Sequence, residues 1–147
     1  MTNLKTFICT IFGVVGGLIA RLFGGWTEDM VTLIVSMAVD FIMGLIVAGV
    51  FHKSNKSESG NLNSRVGWKG LCKKCVTLLF VLIAHRLDVS LGLSYIKTAT
   101  IIGFIANEGI SIVENAGLMG LPLPKVITKA IDILKNRSED DENNRLY

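Results

Sequence analysis

One run of apolar residues, from Met30 to Phe51, limits what this chain can fold into more than any other feature of its sequence. Asp40 is the only ionisable residue in that run. A helix needs about 20 predominantly apolar residues to cross the ~30 Å hydrocarbon core of a bilayer. Hydrophobic residues make up 50% of the chain and the formal net charge is only +3, which argues against both a small soluble domain and a disordered chain. We therefore expect an all-α integral membrane protein.

Further apolar segments raise the expected number of transmembrane helices to three or four. The predicted spans are 6–22, 30–51, 70–87 and 98–117. We interpret the first as an uncleaved helix, because no small-residue cleavage site precedes Arg21. The apolar part of the third is only 75–84, so an interfacial or re-entrant segment remains an alternative there. Together the segments predict a membrane domain at residues 1–137.

Polar segments separate and follow these spans. Residues 52–67 are rich in Ser, Asn and Gly, which predicts a linker. Pro122 and Pro124 end the fourth helix. Apolar residues then repeat at helical spacing among basic ones, which predicts a short amphipathic helix on the membrane surface at 125–136. The charged residues 138–147 predict a disordered tail.

The positions of lysine and arginine predict the orientation. The segment from residue 52 to 74 has one acid, Glu58, and carries the basic residues Lys53, Lys56, Arg65, Lys69, Lys73 and Lys74. Because basic loops stay on the cytoplasmic side, this segment is expected in the cytosol. With four spans, both termini are then cytosolic.

Asp40 is the first candidate functional residue. A carboxylate near the centre of a membrane costs a few kcal/mol on insertion scales, so its presence indicates a role. Two interpretations stay open. Asp40 pairs with Arg86 or Lys97 and only fixes helix assembly, or it lines or gates an aqueous path.

The fourth predicted span has a polar face when it is projected as a helix. The candidate residues of this polar stripe are Asn107, Glu108, Ser111, Glu114 and Asn115. Such a stripe is poorly matched to lipid, so we expect it to face other subunits, water or headgroups. It therefore lines a water-filled lumen, or the helix lies in the membrane interface.

Small residues four positions apart predict close helix packing. Gly13 and Gly17 form such a pair in the first span, and Gly44 and Ala48 form one in the second. Faces of this kind let transmembrane helices approach each other closely, which suggests self-association.

Enzymatic motifs and metal-binding motifs are not indicated. Cys72 and Cys75 form a CKKC sequence, but few further ligands are available, so we predict no metal site and no cofactor. The sequence shows no phosphate-binding glycine loop, no nucleophile with a matching base, and no basic patch interleaved with aromatics. We therefore expect neither an enzyme nor a nucleic-acid-binding protein.

Three stretches resemble a known family. They are residues 40–45 (DFIMGL), 64–74 (SRVGWKGLCKK) and, above all, 107–124 (NEGISIVENAGLMGLPLP). They are similar to the phage holin family, which includes toxin-secretion and phage-lysis holins. The resemblance implies a phage or prophage protein that forms homo-oligomers in the bacterial cytoplasmic membrane. It also implies that the protein opens the membrane at a set time, so that an endolysin or a large toxin can leave the cytosol, without necessary contact between the two proteins.

Two other functions fit the same residues. An antiholin would share every motif but inhibit lysis. A small multi-pass subunit of a transporter or channel would also contain Asp40 and the polar stripe, but it would conduct selectively and would not kill the cell.

Overall fold

Most of the described residues of this protein are helical. The computed structural model describes residues 2–57, 59–130, 132, 133 and 136, and shows no strand among them. The helices are α1 (Thr2–Leu22), α2 (Glu28–Ile46), which continues into one π-helical turn (Val47–Phe51), α3 (Ser64–Leu91) and α4 (Ile96–Leu118). A further short helix includes residues 125–130, 132, 133 and 136. The predicted all-α fold with a short C-terminal helix is confirmed, whereas the predicted tail at 138–147 and residues 131, 134 and 135 of the predicted surface helix lie outside the described residues.

Three helices are long and apolar enough to cross a membrane. They are the segments Asn3–Leu22, Glu28–Phe51 and Ile96–Leu118. This finding, made on the described residues, confirms the expectation of three to four transmembrane helices. Helix α3 has 28 residues and is about 42 Å long, enough to cross the hydrocarbon core, but its charges set it apart from the other three.

The linker is shorter than predicted. The expectation of a linker at 52–67 is wrong at its end, because α3 begins at Ser64. Asn63 has an extended backbone, and its side chain accepts a hydrogen bond from the backbone N–H of Arg65 at 2.9 Å. Asn is a favoured N-cap residue, so the composition that indicated a linker here supplies a helix start.

Helices α2, α3 and α4 form a bundle in which α4 contacts both of the others. Its buried apolar core consists of Met30, Leu33, Met37, Val81 and Ile101. These residues come from the first half of α2, the second half of α3 and the first half of α4. Helices α2 and α4 are therefore parallel, and α3 runs antiparallel to both. The apolar core occupies the end of the bundle at which α1 joins α2.

Helix α1 buries no residue of its Asn3–Leu22 segment within the described part of the chain. Large side chains such as Phe7, Phe12 and Leu18 are exposed. An ideal Cβ placed on Gly13 or Gly17 would meet nothing within 4 Å. The predicted packing role of these two glycines therefore concerns contacts outside the described chain, and it stays a prediction.

A carboxylate at the end of α3 caps the start of α4. Asp88 accepts hydrogen bonds from the backbone N–H groups of Ile96 at 3.0 Å and Lys97 at 2.8 Å. Tyr95 at the N-cap position provides no side-chain cap to α4. Gly92, with φ 65°, ends α3 in the left-handed conformation that glycine adopts readily and brings the two helix ends together.

Asp88 lies beyond the predicted third segment and outside the three candidate spans. Burial alone would raise the pKa of this carboxyl, but the backbone N–H groups of Lys97, Ile96 and Tyr95 lower the pKa below its ordinary value. Because the pKa of Asp88 is lowered in the folded protein, the cap makes its full contribution to the stability of the fold at pH values above the ordinary carboxyl pKa. The contribution is lost as the pH falls through the lowered value.

We predict that Asp88→Ala frays the first turn of α4, because two backbone N–H groups lose their acceptor. Amide hydrogen exchange at residues 96–99, followed by mass spectrometry on the detergent-solubilised protein at neutral pH, should be faster than in the unmodified protein. Asp132→Ala, at an exposed position of the C-terminal helix, is the matched control. Equal exchange in both variants would show that water caps α4 as well as Asp88 does.

Candidate functional site

Three charged side chains meet in the half of the bundle away from the apolar core. The Lys74 ammonium of α3 donates to Asp40 Oδ2 of α2 at 2.8 Å and to Glu108 Oε2 of α4. The exposed fractions of the side chains are 14% for Lys74, 10% for Asp40 and 9% for Glu108. Asn115 Nδ2 donates to Asp40 Oδ1 at 3.0 Å. These four residues form the charge cluster, in which one cation is shared by two carboxylates from different helices.

Every buried group of the cluster has a partner. Among the described residues, no buried side-chain nitrogen or oxygen lacks a hydrogen bond. Removing one member of a buried ion pair leaves an uncompensated charge, whereas the complete cluster leaves none of its charges unpaired. The cluster therefore makes the position of Asp40 in a long apolar helix energetically tolerable.

The expected ion-pair partners of Asp40 were wrong. Arg86 is exposed near the far end of α3, and Lys97 Nζ donates to Thr27 Oγ1 at 3.4 Å at the opposite end of the bundle. Antiparallel packing places the first third of α3 beside the middle of α2, so Lys74 is the cation that reaches Asp40. Sequence reasoning counted Lys74 only as a flanking charge of the third segment.

The observed helix bounds account for Lys74, whereas the predicted start of the third segment at residue 70 placed it too close to the membrane surface. Lys74 lies ten residues from the start of α3, and Glu108 lies ten residues from the end of α4. In an antiparallel pair of helices these positions come to the same level.

The polar stripe of α4 divides into two groups. Glu108 and Asn115 are buried, and they contact Lys74 of α3 and Asp40 of α2 in the same chain, which the sequence pattern did not predict. Asn107 and Glu114 are exposed. Ser111 is half-buried and accepts a hydrogen bond from Lys56 Nζ at 3.3 Å. One side of the stripe therefore contacts other residues of the same chain, and the other side is exposed.

A cavity of about 780 Å³ joins these residues. It extends from the level of Phe80 and Phe104, past the charge cluster, to the linker, between α2, α3 and α4. Its lining includes the candidate residues Asp40, Gly44, Ala48, Asn107, Glu108, Ser111, Glu114 and Asn115. At the other half of the bundle, Leu33, Val81 and Ile101 are fully buried and leave no exposed surface. A single copy therefore contains a polar cavity in one half and a closed apolar core in the other.

The cysteines form no disulfide, although Cys72 lines the cavity. All three cysteines are free and exposed. In the described part of the chain, no group of three or more His, Cys, Asp and Glu residues could hold a metal ion.

Comparison with known proteins identifies the family. The sequence model of the Bacteriophage holin family matches residues 17–136. The chain belongs to the bacteriophage holin family. Its resemblance to phage holins is therefore confirmed.

Several relatives match this holin-family protein over most of its length. An uncharacterised protein of Halalkalibacterium halodurans is 40% identical, covering 83% of this chain and 89% of that protein. An uncharacterised protein of Clostridium perfringens is 36% identical, covering 89% and 94%. A probable holin of Bacillus phage phi105 is 32% identical, covering 82% and 83%. No solved structure matches.

The family match includes the complete charge cluster and every residue that lines the cavity. Family membership together with three apolar helices makes this holin-family protein a multi-pass membrane protein. Membership also indicates a non-enzymatic membrane protein.

We predict that Lys74→Met destabilises the bundle by about 3 kcal/mol or more, because two buried carboxylates then face each other without a cation. The free energy of unfolding, measured by SDS titration in mixed micelles, should fall by that amount. Lys73→Met is the matched control, since Lys73 is exposed and forms no ion pair among the described residues.

Combining Lys74→Met with Asp40→Asn and Glu108→Gln should recover much of the lost stability, because the uncompensated charges are gone. A Lys74→Met protein as stable as the control would show that the charge cluster contributes nothing to the fold.

Proposed function

We propose that this chain is a holin that oligomerises in the bacterial cytoplasmic membrane and permeabilises it, so that an endolysin or a large toxin can leave the cytosol. The observation that carries the proposal is the family match over residues 17–136. The probable holin of phage phi105 among the relatives supports it. The endolysin is a functional partner that needs no direct contact with this protein.

The proposal includes four spans with both termini in the cytosol. Helix α3 is the span that needs an argument, because it carries Lys74 in its first half. The ion pairs with Asp40 and Glu108 offset the charge of that lysine and lower the cost of placing α3 in the membrane. The basic residues of the linker and of the start of α3 support a cytosolic position for that side.

The two halves of the bundle support a route for water that is incomplete in one copy. The cavity extends toward the linker, on the proposed cytosolic side, and the apolar core closes the other half. A single copy would therefore insert without opening the membrane. A continuous path requires the helices to rearrange so that Asp40 and the polar stripe surround a lumen shared by several copies.

Helix α1 is the best candidate for the contact between copies. Its apolar side chains are exposed, and Gly13 and Gly17 have open space around them. Gly44 lines the cavity and Ala48 is buried in its own chain. Gly44 also has open space around it, so Ala48 is the member of the second pair that is covered. The proposed first contact between copies is therefore made by α1, whose small-residue pair is open at both positions.

We predict that induced expression in bacteria causes abrupt loss of membrane potential, followed by lysis when a cell-wall hydrolase without an export signal is co-expressed. Membrane potential and release of a cytosolic reporter enzyme are followed together. The hydrolase alone is the control and should leave the cells intact. A membrane-inserted protein that causes neither depolarisation nor lysis would contradict the proposal and favour an antiholin or a transporter subunit.

We predict that Asn107→Leu combined with Glu114→Leu delays lysis and reduces its extent, because these exposed members of the stripe would otherwise line the lumen. Neither residue belongs to the charge cluster, so the bundle should fold and insert normally. The matched control is Ser94→Leu with Thr98→Leu, which adds the same side chains at exposed positions outside the cavity. Unchanged lysis timing in the first variant would contradict a lumen-lining role.

A further inference from the structure

We infer that the linker-side end of the cavity binds the phosphate headgroup of an anionic phospholipid. Three lysines besides Lys74 line the cavity: Lys56, Lys69 and Lys73. Lys69 lies nearer the linker than the charge cluster does, whereas Lys73 is adjacent to Lys74 in α3. The long side chain of Lys73 would therefore extend toward the linker to reach a headgroup. Glu114 is the acidic residue of the described lining that lies at the linker-side end. Three ammonium groups around one carboxylate give this mouth of the cavity a positive charge, which suits a phosphate.

The charge cluster deeper in the cavity does not attract an anion. Asp40 and Glu108 both accept from Lys74, so two carboxylates share one ammonium group there. Lys69 and Lys73 form no ion pair among the described residues. Lys56 donates to the neutral Ser111 hydroxyl and is also attracted by Asp40. The positive charge that lacks an acidic partner is therefore that of Lys69 and Lys73.

The depth of the cavity fits one leaflet of a bilayer. From Asp40 to Phe51 the helical rise is about 16 Å, close to half of the ~30 Å hydrocarbon core. If α2 spans the membrane, the mouth lies at the level of the headgroups and the charge cluster lies near the centre. The inference depends on this insertion and not on the permeabilising activity.

The walls of the cavity favour a lipid over a free anion. Leu45, Val66 and Leu118 line it between the linker and the charge cluster. A volume of about 780 Å³ falls within the ~300–1,000 Å³ range of ligand pockets and accommodates a headgroup with the first part of an acyl chain. A basic pocket between membrane helices on the cytosolic side is a known type of site for anionic lipid headgroups.

The test uses the full-length protein in nanodiscs made from equal amounts of phosphatidylglycerol and phosphatidylcholine. After extraction into mild detergent, the phosphatidylglycerol that remains bound is measured by native mass spectrometry, and its affinity is measured by titration. The unmodified protein should retain phosphatidylglycerol in preference to phosphatidylcholine. Lys69→Gln with Lys73→Gln should weaken that binding by about 30-fold, the loss expected from two surface lysines.

Lys53→Gln with Arg65→Gln is the matched control, because these exposed residues remove the same charge from the same region but do not line the cavity. This control should bind phosphatidylglycerol like the unmodified protein. An equal loss in both variants would overturn the inference in favour of diffuse attraction by the basic surface. Displacement of the lipid by an equal concentration of glycerol phosphate would also overturn it, since the headgroup alone would then account for binding.

The outcome is separable from the proposed function. Membrane insertion of both lysine variants and their lysis activity are measured in the same cells. If Lys69→Gln with Lys73→Gln loses lipid retention but still lyses cells, the result supports the lipid site and leaves the holin proposal unaffected. Retention of lipid in a protein that never lyses cells would reject the holin proposal and leave the site in place.

Discussion

The Lys74 ammonium, shared between Asp40 and Glu108, is the interaction on which the rest of the bundle depends. Each of the three side chains comes from a different helix, so the ion pairs connect α2, α3 and α4 at a single level. Asn115 adds a fourth contact, again across helices. Burying an isolated charge in an apolar environment has a large free-energy cost, and this cost is much smaller for charges that pair with one another. The sequence can therefore place a lysine and two acids in the middle of apolar helices and still specify one arrangement of those helices.

This arrangement divides the bundle into two unlike halves. Leu33, Val81 and Ile101 close one half by apolar packing, and the charge cluster begins the other. The cavity continues from the cluster toward the linker, where lysines replace apolar side chains in its lining. The transition from an apolar core to a polar cavity and then to a basic mouth follows the change in polarity from the centre of a membrane to its cytosolic surface.

Sequence patterns were sufficient for the helices but not for their contacts. Long apolar runs predicted α1, α2 and α4, because crossing a membrane requires a length and composition that few other structures share. The start of α3 was missed because Asn63 serves equally well in a linker and in an N-cap. The partner of Asp40 was missed because pairing depends on which helices are antiparallel, and periodicity along one helix does not contain that information. The burial of Glu108 has the same origin, since a helical projection shows that a polar face exists but not what covers it.

The charge cluster also suggests how copies of a permeabilising protein can accumulate in the membrane before they open it. Under the proposed function, three of the polar residues that would line a lumen, Asp40, Glu108 and Asn115, have partners within each copy. Inserting one copy therefore leaves mainly Asn107 and Glu114 exposed. Opening then requires ion pairs to be exchanged for contacts with water, which is favourable only where several copies supply the water-filled space together. The exposed helix α1 offers a contact that forms without disturbing the cluster. Association and opening are therefore separate steps in this protein, the first dependent on apolar helix packing and the second on the stability of the Lys74 ion pairs.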